Sequence, residues 1–380
     1  MVSTTFTSDA GGERAATYEN AINPWIVNPI FDTLFVFGGL LWILFGLQIY
    51  WFHWTSPDPA APGAAGTAAF FLLLMSTLGG HIFADAHTVS TYVRVYSTKE
   101  NRERFRLYTY YLPWCSLLLF SLCLLYPQAA GFCVYLHLMW VYQHYVGQSF
   151  GISLIYCYKR GYFFKNWERE TYRWFMHSIS AFVITRILCF REFTPNQFFG
   201  VALPFYDLPK PIFYCARTWF LVMTIAFVGI IVRKYILEKK LIPIPTLALI
   251  ITSMGFGLLS GMASAVVWLY GAPFFHGSQY LAVSLAFYLK EKAPDAAGVK
   301  AVSRHLLKGF FSAEGLRYWA IVVSGGMFIY VMIPHVLENY GYTFGMVATT
   351  IQACINFHHF VTDGAVWRLR DKATRDILLA

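Results

Sequence analysis

The chain has 380 residues, of which 57% are hydrophobic and 19% aromatic but only 13% charged, with a formal net charge of +9. Soluble domains carry about 25% charged residues, so a water-soluble globule is excluded. Apolar runs of about 20 residues, enough to cross a bilayer, recur along the chain, and no series of alternating strands points to a barrel.

Residues 1–28 hold no apolar core and read as a disordered tail rather than a signal peptide. Ten spans follow, at 30–52, 67–93, 107–126, 132–158, 173–190, 213–232, 241–270, 273–290, 316–336 and 342–367. Basic clusters follow every even-numbered span: Arg94 to Arg106, Lys159 to Arg173, Arg233 to Lys240, Lys290 to Lys308 and Arg368 to Arg375. The opposite loops are almost uncharged, apart from 186–217. By the positive-inside rule, both termini are cytoplasmic. The expected architecture is therefore all-α: one transmembrane helical bundle over 29–368, closed by a basic cytoplasmic tail at 369–380. A bacterial inner membrane is the expected setting. The positive charge is a topology signal, and nucleic acid is not needed to explain it. The seven cysteines are scattered singly without a CxxC pair, giving neither a thiolate site nor a disulfide framework.

No loop is long enough for a soluble domain, so any chemistry lies inside the bundle. An ionisable side chain within a span costs several kcal/mol and marks a functional site by default. The second span carries His81, Asp85 and His87; the fourth His137, Gln143 and His144; the eighth His276 and Gln279. The tenth carries Gln352, Asn356, His358, His359 and Asp363. His81 and Asp85 share a helix face, as do His359 and Asp363. His358 and His359 point about 100° apart, so one is able to face a site while its neighbour supports it. At 1.5 Å per residue, His81, His144, His276 and the His358/His359 pair fall within roughly 8 Å of the midplane. Four helices thus deliver histidine to one layer.

The common reading of a lone intramembrane histidine is a hydrogen bond to a neighbouring helix, and it suits His53, His177, His305 and His335. Convergence from four helices points instead to a metal centre. The expected ligand set is His81, Asp85, His87, His144, His276, His358, His359 and Asp363, with His359, Asp363 and Asp85 as the catalytic groups. His81, His144, His276 and one of His358/His359 are expected within about 7 Å of a common centre. Imidazole with carboxylate suits non-haem iron, as one or two ions, ahead of other transition metals. His137, Gln143, Gln279, Gln352 and Asn356 are candidate outer partners of the ligands.

Many histidines, neighbouring aspartates and no soluble domain together resemble the histidine-rich integral-membrane di-iron enzymes, which include lipid desaturases, hydroxylases and the Brp/Blh-type carotene dioxygenases. The likeness is one of architecture and residue type: the desaturase boxes HxxxH and HxxHH are absent, and the chain has H-x5-H at 81–87 and H-x6-H at 137–144. It implies an oxygenase or other oxidoreductase acting on an apolar lipid or isoprenoid drawn from the bilayer, served by an electron-donor protein. A second string, HHFVTDG at 358–364, is similar to the HHxxxDG of condensation-type and wax-ester-type acyltransferases and would make His359 a general base. Haem ligation by facing histidines and a proton-coupled transporter with a histidine–aspartate relay are the other classes the residues allow.

Overall fold

The computed structural model describes residues 23–259 and 269–380. The described chain is almost wholly helical. Its strands are one antiparallel ribbon, β1 (Gln197–Phe198) with β2 (Val201–Ala202). The expected tail 1–28 lies mostly outside the described residues. Its last part does not hang free: the buried Asp32 carboxylate accepts from the amides of Ile26 (2.8 Å) and Val27 (3.0 Å) and from the Tyr156 hydroxyl (2.6 Å).

The principal helices are α1 (Pro29–Val36), α2 (Gly39–Phe52), α3 (Ala64–Tyr96), α4 (Leu107–Leu125), α5 (Pro127–Lys159) and α6 (Asn166–Cys189). After the β ribbon come α7 (Lys210–Glu238), α8 (Ile244–Leu259), α9 (Ser278–Glu291), α10 (Ala313–Glu338), α11 (Phe344–Val366) and α12 (Lys372–Leu379). Their ends follow local chemistry. Pro127 opens α5, where a missing amide hydrogen costs nothing. Thr343 caps α11 by accepting from Met346 N. Gly38, at φ +82, bends α1 against α2 by 54°, a conformation that a side chain resists.

Four helices, α3, α4, α7 and α10, are long and apolar enough to cross a membrane, and α1 with α2 is a fifth if the bent pair is one span. This is a membrane protein, but the ten apolar crossings expected above are not met by length and apolarity among the described residues. The reason is physical. α5 and α11 are long enough but carry histidine, glutamine, asparagine or aspartate side chains turned into the protein, and the first half of α6 is charged, with Glu170 and Arg173 partly exposed, so their mean hydropathy is low. α8 and α9 span 16 and 14 described residues, and the expected span 241–270 runs into residues outside the description.

The same contrast organises the bundle. In α3, α4, α7 and α10 at most 22% of the most apolar stretch is buried, and residues such as Leu118 and Ile225 are exposed. These helices form an apolar rim. α5, α9, α11 and the later half of α3 form the interior, where nearly every residue of α9 is buried. Buried charges are paired at its edges: Lys234 lies 3.6 Å from Glu168 and 2.8 Å from Glu238, joining α6 to α7. The expected tail at 369–380 includes α12, whose Leu378 and Leu379 are buried.

Candidate metal centre

Two interior helices depart from regular winding where the histidines lie. α3 passes through a π-helical turn at Gly80–Asp85, just before His87, and α9 is preceded by another at Ala272–Gly277, which holds His276. Such turns carry one residue more than an α-helix and are frequent at functional sites. The two turns lie against each other. A Cβ on Gly277 would stand 2.7 Å from the Phe83 carbonyl oxygen, so only glycine allows the approach. His144 comes from the middle of α5 and His359 from α11.

The four imidazoles ring one point. Ring centroids are 4.7 Å apart for His87–His276 and His144–His359, and 4.8 Å for His87–His359 and His144–His276. Across the ring, His276 and His359 are 6.2 Å apart. His144 Nε2 and His359 Nε2 lie 3.0 Å apart, and the Asp363 Oδ2 is 3.5 Å from the latter and 3.8 Å from the former. Two overlapping ligand groups result, His87–His276–His359 and His144–His359–Asp363, with their donor atoms within 4.8 Å of one another. Nitrogens bound side by side to one ion at about 2.1 Å are separated by roughly 3.0–3.4 Å, and the 3.0 Å between His144 Nε2 and His359 Nε2 suits a shared ion.

Hydrogen bonding sets which nitrogen carries the lone pair. His87 Nδ1 donates to the Ala84 carbonyl, leaving Nε2 bare, buried and without a protein partner. Both ring nitrogens of His276 are likewise buried and unpartnered. An unmade hydrogen bond at a buried polar atom costs about 1–3 kcal/mol, and a metal ion removes that cost. His359 Nδ1 lies 2.7 Å from Thr91 Oγ1, which also sits 3.3 Å from Asp363 Oδ1. Tyr280 gives its one hydrogen to Asp363 Oδ1 at 2.7 Å, so the one hydrogen of Thr91 goes to the Tyr280 oxygen, also at 2.7 Å; the threonine oxygen then accepts from His359 Nδ1–H and leaves Nε2 free to ligate.

Below this layer lies a second. Tyr280 donates to Asp363 Oδ1 at 2.7 Å, contacts Thr91 Oγ1 at 2.7 Å, and accepts from Trp367 Nε1 at 3.1 Å. Thr91, Gln148, Tyr280 and Asp363 each stand four residues after one of the four histidines. The histidines meet, and so do Thr91, Tyr280 and Asp363, so α3, α9 and α11 run in the same direction. Thr91, Tyr280 and Gln148 were not among the residues expected from the sequence. The i,i+4 repeat behind all four histidines was a signal able to find them.

The remaining expected residues fall elsewhere. His81 and Asp85 bond each other at 2.9 Å; the His81 side chain is 37% exposed, and neither belongs to the ligand groups found among the described residues. The α3 histidine that joins the ring is therefore His87. His358 is turned away: it stacks flat on Tyr92 and donates from Nε2 to the Tyr108 carbonyl at 2.7 Å. His137 is buried against Phe360 with Nδ1 unpartnered, two turns before His144. Gln143 bonds His177 at 2.7 Å, Gln279 bonds the Val36 carbonyl at 2.6 Å, and Asn356 is buried with Oδ1 unpartnered.

A cavity of about 450 Å³ reaches the centre through His144 and Asp363 and runs along α5. Its walls are mainly apolar, with Trp140, Phe150, Leu154 and Phe360 among them. The site thus has buried metal-competent donors on one side and an apolar chamber on the other.

Loss of an outer hydrogen bond to a ligating histidine typically costs about 10–100-fold in metal affinity. Thr91→Val is expected to weaken metal binding by about that factor, and Thr91→Ser to restore it. Titration of metal-stripped protein checks this, and equal affinities for wild type and Thr91→Val would remove Thr91 from the site.

No family model, curated protein or solved structure matches this chain.

Proposed function

We propose that the protein is a membrane-embedded, metal-dependent oxidoreductase that uses iron to activate dioxygen against an apolar lipid or isoprenoid substrate. The carrying observation is the ring of four imidazoles, with His87 Nε2 and both nitrogens of His276 buried and unpartnered. We assign His87, His144, His276 and His359 as ligands of one ion, with Asp363 at its edge. The two ligand groups share His359, which supports a single shared centre. Four neutral imidazoles and one carboxylate leave a divalent ion with net positive charge, which favours bound oxygen anions. Bound iron would supply the redox chemistry. The protein holds the ligands dry, orients His359 through Thr91, and admits substrate through the cavity beside His144. The histidine-rich oxygenases are the chemical class this most resembles. A bacterial inner membrane with both termini on the basic side is the setting we propose, and an electron-donor protein the partner for any monooxygenation.

The competing classes meet specific obstacles. A proton relay needs each group bonded to the next, whereas His276 has no such partner. A bis-histidine haem needs a slot between its ligands, and these four rings close on one another. In an acyltransferase, His359 Nε2 would face the substrate, but it faces His144 Nε2.

Metal analysis of protein purified without chelator tests the proposal. About one equivalent of iron is expected, and less than about 0.3 equivalents of any transition metal would sink it. Two equivalents would replace the single ion by a pair.

A further inference from the structure

One ionisable pair lies on the apolar rim rather than in the interior. His81 and Asp85 bond each other at 2.9 Å on α3, and their side chains are 37% and 20% exposed. His81 stands about 25 Å of helix from Ala64 and about 22 Å from Tyr96, the two ends of α3. A hydrocarbon core is about 30 Å thick, so the pair sits near its middle, where neither short side chain reaches an interface. Its surroundings are apolar: Leu78 and Ile82 are exposed on α3, and Phe328 and Met332 on α10. Asp85 packs against α10, where a Cβ on Gly326 would stand 3.1 Å from the Asp85 Cβ. Beside His81, Gly80 is bare, since a Cβ there would meet nothing within 4 Å.

Lipid tails offer such a pair no hydrogen bonds, and a net charge at this depth is costly. The neutral pair shares one proton between His81 Nδ1 and Asp85 Oδ2, the two atoms that meet. That leaves an N–H donor at His81 Nε2 and an acceptor at Asp85 Oδ1, side by side on one face. A donor and an acceptor so placed are complementary to a second copy of themselves. Copies inserted in the same sense are related by a two-fold axis along the membrane normal, which keeps every residue at its own depth. The bonded side chains share a depth, so each donor meets the other copy's acceptor. Hydrogen bonds of this kind join helices within bilayers.

We propose that the protein pairs with a second copy of itself across α3 and α10, with His81 Nε2–H of each copy donating to Asp85 of the other. Two such bonds close a ring of two histidines and two aspartates at the centre of the interface. The apolar side chains around it, Leu78 and Ile82 with Phe328 and Met332, then pack against their counterparts. The pairing involves none of the four ring histidines and does not rest on the oxidoreductase reading.

The test is sedimentation equilibrium of detergent-purified, full-length protein in density-matched detergent, with thermal melts to report that each variant has folded. The wild type is expected to dimerise. His81→Leu and Asp85→Leu each remove both cross bonds and are expected to weaken association about tenfold or more. A mixture of the two variants regains one cross bond, from His81 of one chain to Asp85 of the other, and is expected to associate more tightly than either variant alone. Thr77→Trp, on an exposed residue one turn from His81, is expected to be monomeric, and this arm decides should both polar variants fail to fold. Ile225→Trp, on the exposed face of α7, is expected to dimerise as the wild type does. A monomeric wild type, a dimer unchanged by His81→Leu or by Thr77→Trp, or a mixture no tighter than its parts would each overturn the proposal, as would a dimer lost in Ile225→Trp.

Discussion

His276→Ala is expected to empty the metal centre. Its ring sits 4.7 Å from His87 and 4.8 Å from His144, stacks on Tyr145, and has both nitrogens buried without a protein partner. Nothing nearby replaces a lost nitrogen, because His358 is held by Tyr92 and the Tyr108 carbonyl. A change in an outer partner already costs about 10–100-fold in metal affinity, and loss of a ligand is expected to cost more than the top of that range. His87→Ala and His144→Ala are expected to behave alike. His81→Ala and His335→Ala are expected to retain metal: the first bonds only Asp85, and the second pairs with Glu338 at a helix end. Elemental analysis of the five purified variants checks the set. Full metal occupancy in His276→Ala would defeat the four-histidine assignment, as would loss of metal in His335→Ala.

Gly277→Ala is expected to cause the largest structural loss from the smallest change. The new methyl group would lie 2.7 Å from the Phe83 oxygen and 2.8 Å from its carbonyl carbon. Both are backbone atoms of the π-helical turn of α3, so no side-chain rotation relieves the clash. The helices must part, and His276 and His87 flank the contact on either side. Overpacking of this kind costs about 1–3 kcal/mol, and the displaced ligands are expected to lower metal content as well. Gly229→Ala on α7 is the control, because a Cβ there meets nothing within 4 Å. Thermal melts and metal analysis of both variants read the outcome. Gly277→Ala with wild-type melting and metal content would mean that the two turns do not need their close approach.

Much of the interior was legible in the sequence because polar side chains inside apolar runs are costly. Depth along each helix brought His144, His276 and His359 into one layer, and the 100° step between neighbours anticipated that His358 and His359 would face different ways. What spacing did not show was which histidine of α3 joins them. Counting 3.6 residues per turn couples His81 to Asp85, as found, but the π-helical turn ending at Asp85 resets the phase before His87. The Gly79–Gly80 pair is the one local hint that the helix loosens there, and it does not fix how far the phase shifts. The number of apolar crossings was overcounted for a related reason. Segments such as α5 look membrane-spanning by length and by the charges at their ends, yet their polar faces turn toward protein rather than lipid. Thr91 and Tyr280 look like ordinary helix residues until their registers behind His87 and His276 are compared.

The extra residue in each π-helical turn has a consequence for ancestry. Such a turn differs from regular helix by a single inserted codon, and that codon rotates everything beyond it by about 100°. Two chains with the same centre are therefore free to differ in the number of residues between histidines, wherever one of them lacks the insertion or carries it a turn away. A signature written as a fixed count between histidines would treat them as strangers. The feature that survives insertion is the short unit on each helix, a histidine with a polar residue four positions on: His87 with Thr91, His144 with Gln148, His276 with Tyr280 and His359 with Asp363. Four such units, with free spacing between them, form the pattern by which distant kin of this chain would be recognised.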